Sequence, residues 1–314
     1  MSERGVIIVG TGLITKFHAQ AVNASSKLTL KGFVGRTKEK AAARAAEFGG
    51  EAFDDLDAAF SAPGVGLAVV ATASGAHDEA VFAAARHRVP VLVEKPIAIT
   101  VERTDRMIEV CRETGTPLGC IFQTRWSDEF ARLRKAVDSG ELGRLTYAAV
   151  QVPWWRDDAY YTESDWHGTK EMDGGGALIN QAIHMVDWLV ALAPPVVEVK
   201  AFADALAHPI ETEDTVSAAL RFEGGALGGV YATTASYPGR PKRIELTGTK
   251  GTIVIEDAVC GSSNAGSIPV EHHRRAIAAF VESLDGGAPY PIDGHEARKS
   301  VDLIERIYRD AGRA

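Results

Sequence analysis

Between residue 6 and about residue 120, short apolar runs alternate with stretches of helical periodicity. No other feature narrows the possible folds as much. The runs are Val6–Val9, Leu28–Val34, Leu67–Ala71, Val89–Val93 and Leu118–Phe122, and between them lie Leu13–Val22, Lys38–Phe48, His77–Arg86 and Val101–Thr114. Buried strands joined by helices of this length make right-handed βαβ units and a parallel sheet. Thr37 and Thr100 stand where N-caps belong, and Gly49 and Gly115 where the helices should stop.

The pattern changes after residue 122. Ser127–Val137 reads as a further amphipathic helix closed by Gly140, and Leu145–Val152 alternates like a strand. Ala177–Leu192 reads as one helix stopped by Pro194-Pro195. Strand-like segments follow at Val197–Phe202, Thr215–Phe222, Ala226–Thr234, Arg243–Thr247 and Gly251–Glu256. A small-residue loop, Gly261–Gly266, leads to helices at Val270–Leu284 and His295–Arg309. Strands in series after one helix predict a mostly antiparallel sheet packed on helices. A chain of 314 residues can build two cores, and we place the division at 1–122 and 123–314.

Bulk properties exclude several classes of function. An apolar fraction of 46% and a charged fraction of 24% are those of an ordinary soluble protein. Net charge is −8 with no basic block, which argues against nucleic acid as a partner. No apolar run approaches the roughly 20 residues that span a bilayer. Val6–Val9 is too short for a signal peptide and runs straight into Gly10. Cys111, Cys120 and Cys260 are odd in number and far apart, so they read as reduced thiols of a cytoplasmic protein. No metal is expected: His272 and His273 are sequence neighbours pointing about 100° apart on a helix, and His184-x-x-Asp187 lacks an evident third ligand.

Gly10-Thr11-Gly12 follows a buried strand and opens a helix, the context for a dinucleotide pyrophosphate at a helix N-terminus. The third position of that fingerprint is Thr15 instead of Gly or Ala. The expected cofactor contacts are Gly10, Thr11, Gly12, Leu13 and Ile14, with Arg36, Thr37, Thr72, His77, Glu94 and Lys95 at the ends of later strands. NAD binders usually place a carboxylate about 20 residues past the glycines. Here that slot reads Gly35-Arg36-Thr37-Lys38, which favours NADP over NAD, although Arg36 can stack on adenine with either cofactor. His18 and His77 read first as structural histidines at helix starts.

Two further segments carry chemistry. Val91-Leu-Val-Glu94-Lys95-Pro96 is an apolar strand ending in two charges. Adjacent strand residues point to opposite sides, so Glu94 and Lys95 are not simply paired with each other. Lys95 lies at the carboxyl end of a parallel strand, where ligands bind in open α/β sheets and where a desolvated amine can carry protons. The second segment is Asp173-Gly-Gly-Gly-Ala-Leu-Ile-Asn180-Gln181-Ala-Ile-His184-Met-Val-Asp187. In a regular helix Asn180, His184 and Asp187 share one stripe with Gln181 beside it. That stripe carries no Lys, Arg or Glu, so it reads as the floor of a polar cavity. Trp126, Trp154, Trp155, Trp166 and Trp188 all follow residue 123. Those between 154 and 166, with Tyr160, Tyr161, Arg156, Asp157, Asp158 and His167, suit a polyhydroxylated ring with apolar faces and polar edges. The same aromatics could equally build core or an oligomer interface. Expected substrate contacts are Lys95, Arg125, Trp155, Arg156, Trp166, Asp173, Asn180 and His184. Arg125, Lys242 and Arg243 are the cations that could reach an anionic substrate group.

Taken together, Gly10-Thr-Gly12, Glu94-Lys95-Pro96, the glycine-rich run to His184 and Tyr290-Pro-Ile-Asp-Gly294-His-Glu-Ala-Arg298 resemble the Gfo/Idh/MocA family, named for glucose-fructose oxidoreductase, inositol dehydrogenase and rhizopine catabolism. The resemblance covers nearly the whole chain. It implies an N-terminal Rossmann domain and a C-terminal α/β domain with a large, mostly antiparallel sheet, one face of which mediates dimers or tetramers. It implies NAD(P)-dependent hydride transfer on a sugar or polyol. It also carries the roles of catalytic lysine and histidine onto Lys95 and His184. Several polyol dehydrogenases of the family have aspartate where this chain has Asn180, and asparagine cannot take a proton, so more of the acid/base work falls to His184 and Lys95. Two rival readings keep the fold: a nucleotide sensor without turnover, and an enzyme that cleaves glycosides through transient oxidation by bound NAD.

Overall fold

Val6, Ile7 and Ile8 are completely buried, as a strand covered on both faces requires. They belong to β1 (Arg4–Val9) in a computed structural model that describes residues 3–260 and 269–313. The loop expected at 261–266 lies outside the described residues. Chain order continues α1 (Ile14–Asn23), β2 (Leu28–Val34), α2 (Lys38–Phe48), β3 (Glu51–Phe53), α3 (Leu56–Phe60) and β4 (Val65–Val70). After these come α4 (His77–Arg86), β5 (Val91–Glu94), α5 (Val101–Thr114) and β6 (Leu118–Ile121). The sheet order is β3-β2-β1-β4-β5-β6, and every neighbour pair is parallel. The order changes direction between β1 and β4, which makes their carboxyl ends the expected ligand crevice of this doubly wound sheet. Thr37 and Thr100 cap as expected, accepting from the amides of Lys40 and Arg103, and Gly115 closes α5 in the left-handed region at φ 68°. β3 and α3, three and five residues long, are too short to show a period and were not foreseen.

The second sheet is built from β7 (Leu145–Pro153), β8 (Val196–Asp204), β9 (Thr215–Phe222), β10 (Leu227–Thr233), β11 (Pro241–Gly248) and β12 (Thr252–Cys260). Its order is β12-β11-β7-β10-β9-β8. All its pairs are antiparallel except β7 with β10, so the expected mostly antiparallel sheet is present. Along β9, buried residues alternate with exposed ones, so one face is packed. The helices of this unit are α6 (Asp128–Asp138), the short α7 (Asp158–Thr162) and α8 (Ile183–Leu192). The expected single helix over Ala177–Leu192 is interrupted: Ala177–Ala182 is a π-helical turn, and regular α-helix begins only at Ile183. Cys111 and Cys120 are buried thiols.

By their contacts, the compact units are Met1–Gln123 with Ile268–Arg298, and Thr124–Ser267 with Lys299–Ala314. The sequence division kept 123–314 together. Instead α9 (Val270–Leu284) and the start of α10 (Gly294–Asp310) pack with the first unit. The reason is apolar. Ala276, Ile277, Phe280 and Val281 are buried where α9 meets α1 and β6. The Tyr290 hydroxyl donates to the Cys120 carbonyl at 3.0 Å.

Candidate active site

In the first unit the crevice begins at Gly10. Its φ is +121°, and a Cβ there would lie 2.3 Å from the Ala71 carbonyl oxygen at the end of β4, so no other residue fits this turn. Gly12 is the opposite case, because among the described residues nothing lies within 4 Å of the position its Cβ would take. The carbonyls of the turn are engaged. Thr15 donates its hydroxyl to the Gly12 carbonyl at 2.6 Å, while Arg44 from α2 reaches the carbonyls of Thr11 and Gly12 at 3.0 and 3.3 Å. Thr15 is wholly buried, which accounts for a threonine at the third fingerprint position: it ties the turn internally. The first turn of α1 has no capping side chain and no acidic residue, so its amides and the positive end of its dipole suit an anion. These features fit a dinucleotide pyrophosphate. Arg36 and Thr37 are exposed beyond β2, with the Thr37 hydroxyl occupied in capping α2.

Three residues expected at the cofactor or at helix starts turn inward. His77 is buried, with Nδ1 2.9 Å from the Pro96 carbonyl and Nε2 3.3 Å from that of Thr72. His18 lies inside α1, not at its start, and is wholly buried against Glu94. Glu94 itself is 4% exposed. One of its oxygens meets His18 Nε2 at 2.7 Å, and the other accepts the Lys95 amide at 3.1 Å. Its carboxylate therefore serves the strand end and does not face a ligand. Lys95 is half-buried.

In the second unit the glycine run is explained by two close approaches. A Cβ on Gly175 would lie 2.2 Å from the Tyr308 hydroxyl, and one on Gly176 would lie 2.0 Å from the Glu213 carbonyl. Glu213 caps the π-turn, accepting from the Gly176 and Leu178 amides at 3.0 and 2.9 Å and from the Tyr308 hydroxyl at 2.9 Å. Burial pushes the Glu213 carboxyl above its ordinary value against the downward pull of these donors.

From Ala177 to Leu189 every residue is buried except Asn180, Gln181 and His184. Asn180 Nδ2 donates to Asp173 Oδ1 at 2.7 Å, and its Oδ1 accepts from Gln181 at 3.2 Å. Gln181 also donates to the Tyr160 hydroxyl and accepts from Arg156, both at 2.7 Å. The Arg156 guanidinium lies over the rings of Trp154 and Tyr160, and burial lowers its pKa. His167 stacks on Tyr160 at 4.3 Å and touches Trp166, while Trp155 meets Tyr237. The His184 Nδ1 is 3.5 Å from the Thr124 hydroxyl, which accepts from Trp188.

Several sequence expectations change here. Asp187 leaves the polar stripe: it is wholly buried and bound by Arg125 through two contacts of 2.7 Å. Arg125 is therefore committed to that pair and is not directed at a substrate anion. Arg243 pairs with Glu245 at 2.6 Å. Asp173, 1% exposed, accepts from Asn180 and from the Gly168 amide, which makes it a brace behind the polar row. Trp188 is core. Glu213, Tyr308 and Thr124 brace this segment without a site role in the sequence reading, since each acts through distant partners that no local spacing reveals.

Residues 4–122 match an oxidoreductase family with an NAD-binding Rossmann fold, and residues 130–254 match the Gfo/Idh/MocA C-terminal domain. Among solved structures, the WlbA dehydrogenase from Bordetella pertussis in complex with NADH and UDP-GlcNAcA is 32% identical, with a TM-score of 0.91 over 99% of this chain and 97% of that one. Myo-inositol 2-dehydrogenase of Thermotoga maritima is 25% identical over 94% of this chain and 92% of its own length. Levoglucosan dehydrogenase of Pseudarthrobacter phenanthrenivorans is 27% identical over 81% and 74%. With both halves matched and the dinucleotide turn intact, the chain belongs to the Gfo/Idh/MocA family of NAD-binding oxidoreductases.

Proposed function

We propose that this protein interconverts a secondary alcohol and a ketone on a sugar or sugar derivative. His184 is its acid/base, and Lys95 hydrogen-bonds the reacting oxygen. The carrying observation is the isolation of Asn180, Gln181 and His184 as the half-buried residues of an otherwise buried segment. An imidazole among amides, oriented by Thr124, is suited to proton transfer. When bound, the nicotinamide carries the hydride. Gly10, Thr11, Gly12, Leu13 and Ile14 would hold the pyrophosphate, with Thr72 beside them. Asn180 would orient hydroxyls, and Trp155, Trp166 and Arg156 would pack the sugar ring.

The finer assignments follow from particular residues. The absence of a carboxylate at Arg36-Thr37-Lys38 supports NADP(H) as the preferred cofactor, even though the WlbA structure holds NADH. The names of the relatives support a cyclic polyol or a nucleotide-linked sugar as substrate. Phe202 is 84% exposed on the second sheet, and Tyr147, Leu227 and Val254 are exposed with it, which supports self-association through that sheet. No helix among the described residues is long and apolar enough to cross a membrane. The buried thiols of Cys111 and Cys120 support a cytoplasmic location.

The test is fluorescence titration with NADPH and NADH, then a panel of inositols, anhydrosugars and UDP-sugars read at 340 nm, with light scattering for the assembly. His184→Ala should lower kcat by roughly 10²-fold while nucleotide binding persists. Near-normal turnover of that variant would refute its role, and a higher kcat/KM with NAD would refute the NADP preference. Tight binding without any turnover would return weight to the sensor and glycoside-cleaving readings.

A further inference from the structure

We propose that His18, His77 and His273 are positioning residues that hold the Lys95 backbone from both sides, His18 and His273 acting through Glu94. The inference rests on the reading of Lys95 given above. On the amino side, Glu94 accepts the Lys95 amide with one oxygen and meets His18 with the other. That second oxygen is also 3.7 Å from His273 Nε2, delivered by α9 from far along the chain. On the carboxyl side, His77 Nδ1 faces the Pro96 carbonyl and its Nε2 the Thr72 carbonyl. The Lys95-Pro96 segment is thus pinned at each end by a buried imidazole. Those imidazoles stand on α1 and α4, the two helices that begin at the carboxyl ends of β1 and β4. Lysine position is in this way tied to the cofactor turn.

The cluster is built, not incidental. His18 and His273 are wholly buried and meet edge to face at 5.0 Å, and His273 stacks on Phe17 at 5.9 Å. Among the described residues, neither nitrogen of His273 has a hydrogen-bond partner within ordinary range. A buried imidazole without partners is costly, and the nearest acceptor is the Glu94 oxygen. A carboxylate with His18, His273 and the Lys95 amide around it stays ionised in the interior. Burial pushes Glu94 up, but the two histidines hold it well below the usual carboxylate range. The titratable groups facing Glu94 are His18 and His273, with His77 acting on it through charge.

The readout is Lys95 itself. Its rate of labelling by pyridoxal 5′-phosphate with borohydride is followed by mass spectrometry from pH 6 to pH 10, with exposed Lys200 as internal reference. His273→Phe keeps a ring against Phe17, and His18→Asn keeps a donor toward Glu94. In His273→Phe and in His18→Phe, Lys95 labelling should rise by roughly threefold or more over Lys200 and its pH midpoint should move. His18→Asn should return both toward wild type. A lower melting temperature with unchanged relative labelling and pH midpoint overturns the proposal, because that is what a purely structural role gives. The three donors lie within 4.8 Å of one another, so metal content is measured on the same samples, and stoichiometric zinc would also overturn it. Lys95→Met separates the two readings. If it keeps near-normal turnover, the catalytic role of Lys95 fails; if it abolishes turnover while the histidine variants label as wild type, only the positioning role fails.

Discussion

Glu213→Gln tests whether a buried carboxylate organises the histidine helix. The Glu213 side chain offers two acceptor oxygens to three donors: the Gly176 amide on one, the Leu178 amide and the Tyr308 hydroxyl on the other. Glutamine has one oxygen and one NH2 group, so in either orientation its NH2 faces at least one donor. A buried donor left unsatisfied costs about 1–3 kcal/mol. Loss of the buried charge offsets part of this, since burial already pushes the Glu213 carboxyl upward. For a unit of this size the melting temperature should drop by about 2–12 °C. Because the capped amides belong to the turn that presents Asn180 and leads into α8, kcat should fall as well, with nucleotide affinity unchanged. Tyr308→Phe is the milder companion, removing one donor to Glu213 and the acceptor of the Ile179 amide. Calorimetry and steady-state kinetics check both variants. If Glu213→Gln melts with wild type and turns over normally, the cap does not organise the site.

The two glycines of the cofactor turn should separate folding from binding. Gly10→Ala meets the Ala71 carbonyl at positive φ and should lower both the melting temperature and nucleotide affinity. Gly12→Ala meets nothing among the described residues and should melt normally while binding NADH more weakly. A Gly12→Ala variant with wild-type affinity would place the pyrophosphate elsewhere. Stability should fall as pH drops from 7 to 5. Burial holds His18 and His77 below the ordinary histidine value of 6.5, so the unfolded chain takes up protons first and their contribution is lost below 6.5. Glu94, held well below 4.5, adds its loss only at lower pH, and a flat melting temperature between pH 7 and pH 5 would contradict this. Asn180→Asp should not restore a proton relay. It sets a second carboxylate where an amide now donates to Asp173 at 2.7 Å, and such a pair binds a proton at raised pKa. Stability should therefore be kept at low pH and lost as pH rises through that value, and a variant as stable as wild type at pH 8 would refute it.

What was legible in the sequence was whatever a local pattern encodes. The parallel strands of the first sheet, the threonine caps and the glycine turn follow from period, position and backbone sterics within a few residues. The divided helix was not legible, because Ala177–Leu192 holds no glycine, proline or other breaker that would mark where a π-turn gives way to α-helix. What opens that turn is tertiary: Glu213 and Tyr308 press on Gly176 and Gly175 from more than thirty residues away. Asp187 was misplaced for the same reason, since helical spacing aligned it with His184 while Arg125 drew it into the interior. The departures from the family pattern become intelligible once partners are known. Thr15 replaces a small residue because its hydroxyl closes the turn on the Gly12 carbonyl. Asn180 replaces an acid, yet it keeps a carboxylate beside it in Asp173 and has both ends of its amide engaged. An amide locked in this way can present a fixed hydrogen-bonding edge but cannot exchange a proton. That makes His184 the ionisable group among the three half-buried residues of the segment, and it is why the acid/base assignment rests there.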